Sequence, residues 1–143
     1  MKVLKALEIL KKEQPVIVSG RTFEVHNLVH VILDSAEDVY WIRNGEGRLL
    51  SVDPQSEEVI LFEELEEELE AYDETLEFRG TDYEFTYEEG GKVLDEDEEE
   101  VDHVDFKEYE ADGEIIRIAE FEVSGEIITL RGSRITEDDL QEV

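Results

Sequence analysis

Residues 39–62 read VYWIRNGEGRLLSVDPQSEEVILF and decide the fold. Three runs rich in β-branched, aromatic and aliphatic residues are separated here by two short polar segments. The first segment opens with Asn44-Gly45 and the second with Asp53-Pro54, and both pairs are strong turn signals between strands. The stretch therefore predicts three consecutive strands joined by short turns.

The same pattern extends in both directions from this stretch. Upstream, apolar side chains alternate from Phe23 to Leu33 with the period of an extended strand, and a break is expected near Asn27. Downstream, further strands are predicted within residues 78–94 and 104–130, again joined by glycine-containing turns. The sequence therefore predicts a mainly β fold.

The two halves of the chain are related in pattern. Residues 20–25 (GRTFEV) line up with residues 80–85 (GTDYEF), about sixty positions later, which is the spacing of an internal repeat. We expect two related antiparallel β units, at about 15–63 and 75–132. Each unit hides its apolar face against the other, so that residues 15–143 form one sandwich or barrel-like domain.

An amphipathic helix is predicted for residues 1–14, ahead of the β units. Pro15 ends it, because proline disfavours helix at the preceding residue. The three- and four-residue spacing of apolar side chains that defines the helix is carried by Val3, Leu4, Leu7 and Leu10.

Two further helical segments are expected. An acidic linker at 63–74 joins the two units, and within it Leu65 and Leu69 have helical spacing, which predicts one short helix over residues 63–72. A final helical turn follows Thr136, whose hydroxyl is a favourable cap.

The charge of the chain is strongly negative and unevenly distributed. Its 143 residues include 42 acidic and 13 basic side chains, for a formal net charge of −29. Residues 1–60 hold seven of the basic and ten of the acidic side chains, so nearly all the excess lies in residues 61–143. Such a charge repels nucleic acid and anionic lipid, and it favours a cationic partner such as a basic protein, a polyamine or a divalent cation.

Composition also bears on compartment and chemistry. The chain has no cysteine, which excludes disulfides, thiolate nucleophiles and Cys-ligated metals. No apolar run has the roughly 20 residues of a membrane span, and residues 1–10 (MKVLKALEIL) lead into no cleavage pattern. We expect a cytoplasmic protein without membrane insertion.

The acidic run at residues 95–102 (DEDEEEVD) is the most unusual local feature. Carboxylate oxygens suit Ca²⁺ or Mg²⁺, but an EF-hand loop needs glycine at its sixth position, which is Glu100 here. The run therefore predicts a weak divalent-cation site, a docking surface for a basic partner, or a solvated loop. The candidate metal ligands are Asp95, Asp97, Glu99 and Asp102, and the candidate binding residues are Glu96, Glu98, Glu100 and His103.

No catalytic constellation is recognisable. Ser19-Gly20 and Ser124-Gly125 belong to hairpin-like turns and not to a nucleophile elbow, and neither a Walker loop nor a dinucleotide fingerprint is present. His26 and His30 lie four residues apart on a predicted strand, about 13 Å between Cα atoms, too far to share one ion. We therefore expect no catalytic residue, no cofactor and no enzyme activity.

Several stretches together resemble the family described as domain of unknown function 4178 (DUF4178). They are residues 20–25, residues 49–53 with 58–62, residues 78–83, residues 109–121 and residues 132–136. The resemblance covers about residues 15–140, and it departs from the family pattern at Leu49 and Phe121, where tryptophan is usual. The family has no established activity, so the resemblance implies no catalytic residue, cofactor or partner.

The preferred hypothesis is a non-enzymatic, acidic interaction module that binds a cationic partner. Three alternatives stay open: a protein that mimics nucleic acid with its carboxylates, an enzyme with a site between the two β units, and an adaptation of surface charge to a salty or hot interior.

Overall fold

The computed structural model describes residues 1–72 and 74–143. The elements are α1 (Val3–Lys11), β1 (Val16–Val18), β2 (Arg21–Phe23), β3 (Asn27–Leu33), β4 (Asp38–Arg43), β5 (Arg48–Asp53), β6 (Glu58–Leu65), β7 (Ala71–Tyr72), β8 (Thr75–Phe78), β9 (Thr81–Leu94), β10 (Glu100–Ala111), β11 (Glu114–Phe121), β12 (Ile127–Ile135), a 3₁₀ turn (Glu137–Asp139) and β13 (Leu140–Glu142).

Eight strands close into an antiparallel barrel. Their order is β3-β4-β5-β6-β12-β11-β10-β9, and β9 pairs back with β3. Strands β7 and β8 extend the sheet beside the first part of β9, and β1, β2 and β13 form a separate three-stranded sheet. The predicted mainly β, barrel-like fold with an N-terminal helix is confirmed.

The barrel consists of two four-stranded meanders, β3 to β6 and β9 to β12. The first strands of the two meanders pair with each other, with Val31 opposite Val93, and so do the last strands, with Phe62 opposite Gly132. This arrangement has the order expected for two related units, although the duplication itself stays a prediction.

Two equivalent hairpin turns lie ahead of the meanders. Ser19-Gly20 joins β1 to β2 and Arg79-Gly80 joins β8 to β9, and all four residues have positive φ. Two residues with positive φ are typical of the tight hairpin turn that matches strand twist. Each turn leads into a buried aromatic side chain, Phe23 in one case and Tyr83 in the other.

The barrel has an apolar interior and two covered outer patches. Alternate side chains such as Val31, Trp41 and Phe62 fill the interior. One outer patch is covered by α1 with the small sheet, and the other by the segment that includes β7 and β8. Strand β5 is therefore buried on both faces along its four central residues, 49–52.

The predicted N-terminal helix and C-terminal turn are both present, and they contact each other. The four buried side chains of α1 share one face of the helix. The Met1 amino group donates to the carbonyl oxygens of Glu137 and Leu140, at 3.1 and 2.9 Å. The 3₁₀ turn at residues 137–139 has Thr136 as its cap, closed by a hydrogen bond from the Thr136 N–H to Asp139.

The prediction of a helix over residues 63–72 is wrong. The first residues of this segment continue β6. There, Arg43 Nε lies 2.7 Å from Glu64 Oε1 and compensates the Glu64 charge. In a helix, the Glu64 carboxylate would instead lie next to those of other glutamates. Leu65 and Leu69 pack against the outer patch near β8, so their spacing reflects tertiary contact. Asp73, within the expected linker 63–74, lies outside the described residues.

A buried ion pair between the neighbouring strands β10 and β11 lies in the barrel interior. Arg117 on β11 donates to the carboxylate of Glu108 on β10 at 2.7 Å, and to Ser51 Oγ on β5 at 2.9 Å. The two charged residues are 4 % and 3 % exposed. The guanidinium also lies about 5 Å from the ring centroids of Trp41, Phe62 and Phe106. The hydrogen bond from Arg117 to Ser51 therefore connects the two meanders through the core.

Gly132 marks the closest approach of the two meanders. A Cβ atom at this position would lie 2.1 Å from the carbonyl oxygen of Leu61 and 2.8 Å from the Cα of Phe62. Both of those atoms belong to the backbone of β6, so no side-chain rotation can relieve the clash. Only glycine allows this pairing of β12 with β6.

Replacing Gly132 with alanine is expected to open the β6–β12 pairing. We predict that Gly132→Ala loses about 3 kcal/mol of unfolding free energy, at the upper end for overpacking in a core. Urea unfolding followed by circular dichroism measures this. The exposed neighbour provides the control, since Ser133→Ala should change stability by less than about 0.5 kcal/mol. Equal stabilities of the two variants would contradict the prediction.

Removing one partner of the buried ion pair leaves the other charge uncompensated. We predict that Glu108→Leu and Arg117→Met each lose about 3 to 5 kcal/mol, whereas the double variant recovers most of the loss because both charges are gone. Urea unfolding of the three variants gives the coupling between the residues. A double variant no more stable than the worse single variant would refute this account.

Candidate functional site

A groove of ≈ 730 Å³ runs across β9, β10, β11 and β12 and is bordered by the segment at 68–71. Seven acidic residues line it, together with one cationic residue, Lys107, among the described residues. The carboxylates belong to Asp34, Glu68, Glu70, Glu88, Glu89, Asp105 and Glu120. The strands bring together acids that are far apart in sequence.

The groove also has apolar surface between its carboxylates. Ile127 is 58 % exposed. Leu69 and Ile118 line the groove beside it and are half-buried. A partner that carries both positive charge and apolar surface therefore finds complementary chemistry in one place.

The absence of a side chain at Gly90 allows two of these carboxylates to converge. A Cβ atom there would lie 2.7 Å from Asp34 Oδ2 and 2.8 Å from Asp105 Oδ1. The Asp34 N–H donates to the Gly90 carbonyl oxygen at 2.8 Å, which fixes Asp34 beside β9. Two negative groups held this close attract a cation more strongly than either does alone.

His103, a predicted binding residue, lies near the Gly90 edge of the groove. It belongs to β10, which begins at Glu100, four residues before the strand region that the sequence predicts from residue 104. Its Nδ1 atom lies 3.7 Å from Asp105 Oδ2 and 3.8 Å from Glu122 Oε2, distances too long for hydrogen bonds. Among the predicted binding residues Glu96, Glu98, Glu100 and His103, it is therefore His103 that lies beside the groove.

The predicted metal ligands do not form a preorganised set. Asp95 Oδ1 accepts the N–H groups of Asp97 and Glu99, at 2.9 and 3.0 Å, and so shapes its own turn. Among residues 1–72 and 74–143, no three His, Asp or Glu side chains are arranged to hold a metal ion. Weak divalent-cation binding by Asp95, Asp97, Glu99 and Asp102 stays a prediction.

Asp102 has a structural task at the barrel end. Its carboxylate accepts the N–H groups of Val123 at 2.7 Å, His103 at 2.8 Å and Ser124 at 3.2 Å. Burial acts against the charged form, but these backbone donors outweigh it and lower the pKa of Asp102. Asp102 thereby attaches the start of β10 to the turn between β11 and β12.

His30 attaches the acidic loop to the barrel, a role that its sequence pattern did not reveal. Its Nδ1 lies 2.8 Å from Glu98 Oε2 and its Nε2 lies 2.7 Å from Asp38 Oδ1. Each ring nitrogen is therefore within hydrogen-bond distance of a carboxylate oxygen. The ring also stacks on Tyr40 with centroids 4.7 Å apart.

The remaining predicted binding residues lie on the same loop or at the start of the strand that follows it. Glu96 and Glu98 border a smaller cavity of ≈ 360 Å³ together with Lys11 and Lys12 of the N-terminal segment, so positive charge of the chain itself faces them. Glu100 is exposed at the start of β10. The cavity beside the loop therefore has two lysines in its lining, where the groove has one.

No family model, curated protein or solved structure matches the chain. Membership of the DUF4178 family therefore stays a prediction. No helix in the described part of the chain has the length and apolar character needed to span a membrane. Fold and groove define the molecule as an acidic eight-stranded barrel with a covered outer face on either side.

Neutralising Asp102 is expected to loosen the barrel end. Because its pKa is lowered in the folded state, its ionised form stabilises the fold above the ordinary carboxyl pKa of about 4, and this contribution is lost as pH falls below that value. We predict that Asp102→Asn loses about 1 kcal/mol at neutral pH and much less near pH 3.

Urea unfolding of the variant and the parent at the two pH values measures this difference. Asp82→Asn, at an exposed position of β9, is the matched control and should change stability little at either pH. A deficit of Asp102→Asn that is the same at both pH values would contradict the proposed role of the charge.

Proposed function

We propose that the protein is a non-enzymatic interaction module whose partner is a basic segment of another protein, bound in the acidic groove. The observation that carries the proposal is the combination, among the described residues that line one groove of ≈ 730 Å³, of seven acidic residues, one lysine and the exposed Ile127. A cytoplasmic location remains part of this proposal.

The chemistry of the groove favours a peptide over a bare ion. A divalent cation needs several oxygen ligands at fixed short distances and gains nothing from apolar surface. A polyamine matches the charge, but it has no branched side chain to cover Ile127. A basic peptide with aliphatic side chains can pair with the carboxylates of the groove and also cover Ile127.

Charge and apolar contact have different roles in this binding. The net charge of −29 raises the local concentration of cations and accelerates encounter, and this effect weakens as salt increases. Individual exposed ion pairs contribute about 0 to 1 kcal/mol each. Covering Ile127 contributes up to about 2 kcal/mol and is insensitive to salt.

A labelled peptide of alternating lysine and leucine tests the proposal by fluorescence anisotropy at low and high salt. We predict that Glu68→Gln with Glu70→Gln weakens binding about fivefold at low salt, equivalent to about 1 kcal/mol. Ile127→Ser should weaken binding at both salt concentrations. A lysine and glutamine peptide of equal charge should bind more weakly than the leucine peptide.

The matched control is Glu96→Gln with Glu100→Gln, which removes the same charge from the acidic loop. It should weaken binding much less than the groove variant does. Equal losses from the two double variants would refute the groove as the site. Spermine or Ca²⁺ binding as tightly as the leucine peptide, with loss in the loop variant, would instead identify a small cation as the partner.

A further inference from the structure

Strand β9 is longer than the strands that pair with it on one of its two sides. On the first side, β10 accompanies it from Glu84 to Leu94. On the other side, β8 pairs only with residues 81–84 and β3 only with residues 91–94. Between them, no strand in the described part of the chain pairs with residues 86–89 on that side. We call this stretch the open edge.

Both ends of the open edge are fixed by backbone hydrogen bonds. The Phe85 N–H donates to the Glu74 carbonyl oxygen, and the Asp34 N–H donates to the Gly90 carbonyl oxygen, both at 2.8 Å. Residues two apart in a regular strand direct their backbone groups to the same side, and β9 is regular from Glu88 to Gly90. The N–H and C=O of Glu88 therefore face the open edge, where a further strand can pair with them.

The two faces of the open edge have different chemistry. Glu88 and Gly90 lie on the outer face of the barrel, where both line the acidic groove beside Asp34. Tyr87 lies on the inner face, and its ring contacts that of Phe106 in the core with centroids 6.0 Å apart. Tyr87 is nevertheless 41 % exposed. A strand added here meets carboxylates with one set of alternate side chains and an aromatic ring with the other.

Charge decides which chain fits the open edge. A second copy of this protein that paired through the same edge would bring its own Glu88 and Glu89 against these two glutamates. Charged side chains on an exposed strand edge are a common protection against such self-association. A strand rich in lysine or arginine instead gains opposite charges from the same two residues.

We propose that the basic segment bound by the groove pairs with the open edge of β9 as an added antiparallel strand, with basic side chains outward and apolar side chains towards Tyr87. The direction follows from β8 and β3, which lie antiparallel to β9 at either end of the open edge. In strand addition, backbone hydrogen bonds give affinity and alternate side chains give specificity. This inference rests on the proposed function and adds the conformation and sequence pattern of the partner.

One short segment reaches both the open edge and Ile127. Four residues of an extended strand span about 13 Å, which matches the open edge. Strand β12 lies beyond β10 and β11, about 14 Å from β9 at ordinary strand spacing, so roughly four more residues cross the groove to Ile127. A segment of about eight residues is therefore long enough for both contacts.

Backbone methylation of the peptide tests the pairing without any change to the protein. In an antiparallel added strand, the residues that face outward beside Glu88 also direct their N–H groups at β9. Methylating the backbone nitrogens of the lysines in the alternating lysine and leucine peptide should therefore weaken binding at least about fivefold, the loss of roughly one hydrogen bond. Methylating those of the leucines adds equal bulk on the other side and should weaken binding less than about twofold. Fluorescence anisotropy at low salt measures both.

A proline in the protein gives the second arm of the test. Glu88→Pro removes the N–H that faces the open edge and leaves the pairing of β9 with β10, because proline is tolerated where a strand N–H has no ladder partner. Glu88→Gln removes the charge alone and should weaken binding about threefold. Glu88→Pro loses both the charge and the hydrogen bond, so we expect a loss of at least about tenfold. Circular dichroism checks the fold of both variants.

The outcomes separate this inference from the proposed function. Equal losses for the two methylated peptides, no loss for either, or a loss for the leucine set alone would overturn the added strand. So would Glu88→Pro binding as tightly as Glu88→Gln. In each of these cases the proposed function stands if Glu68→Gln with Glu70→Gln still weakens binding of the unmethylated peptide. Failure of that peptide to bind at low salt would instead refute both.

Discussion

The ion pair between Arg117 and Glu108 is the interaction on which the barrel depends most. It lies inside the core, and its hydrogen bond to Ser51 crosses from one meander to the other. Two desolvated charges are costly alone, and here their attraction, the hydroxyl acceptor and three aromatic rings offset that cost together. Any strand shift that separates them leaves a buried charge without a partner, so the pair favours one register over its neighbours.

Much of the fold was predictable because its signals are local. Alternating apolar residues, the Asn44-Gly45 turn, the helix before Pro15 and the Thr136 cap each act within a few residues. Barrel closure was not predictable, since pairing of β6 with β12 depends on contacts between distant segments. The charges of Glu108 and Arg117 look like those of solvent-facing strand positions in the sequence, so their burial was also hidden.

The candidate site was predictable only in its character. The excess of acids indicated a cationic partner. The sequence predicted the binding site at residues 95–102, because the charges of these residues are contiguous. In the barrel, neighbouring strands place Asp34, Glu88 and Glu120 around one groove although they are far apart along the chain. Part of the acidic run has a structural role instead. Glu98 contacts His30 of the barrel, and Asp102 accepts a backbone N–H from Val123. Charge density along a sequence is therefore a poor guide to charge density on a closed sheet.

The two meanders pair through their first strands and through their last strands, and this symmetry has a consequence for shorter chains. Both seams of the barrel, β3 with β9 and β6 with β12, follow the rule of an isologous interface, in which one edge meets its own counterpart. A polypeptide of half this length that carried one meander, with glycine at the position of Gly132, would present both required edges. Two identical copies would thus have the hydrogen-bonding geometry to close the same eight-stranded cylinder as a homodimer.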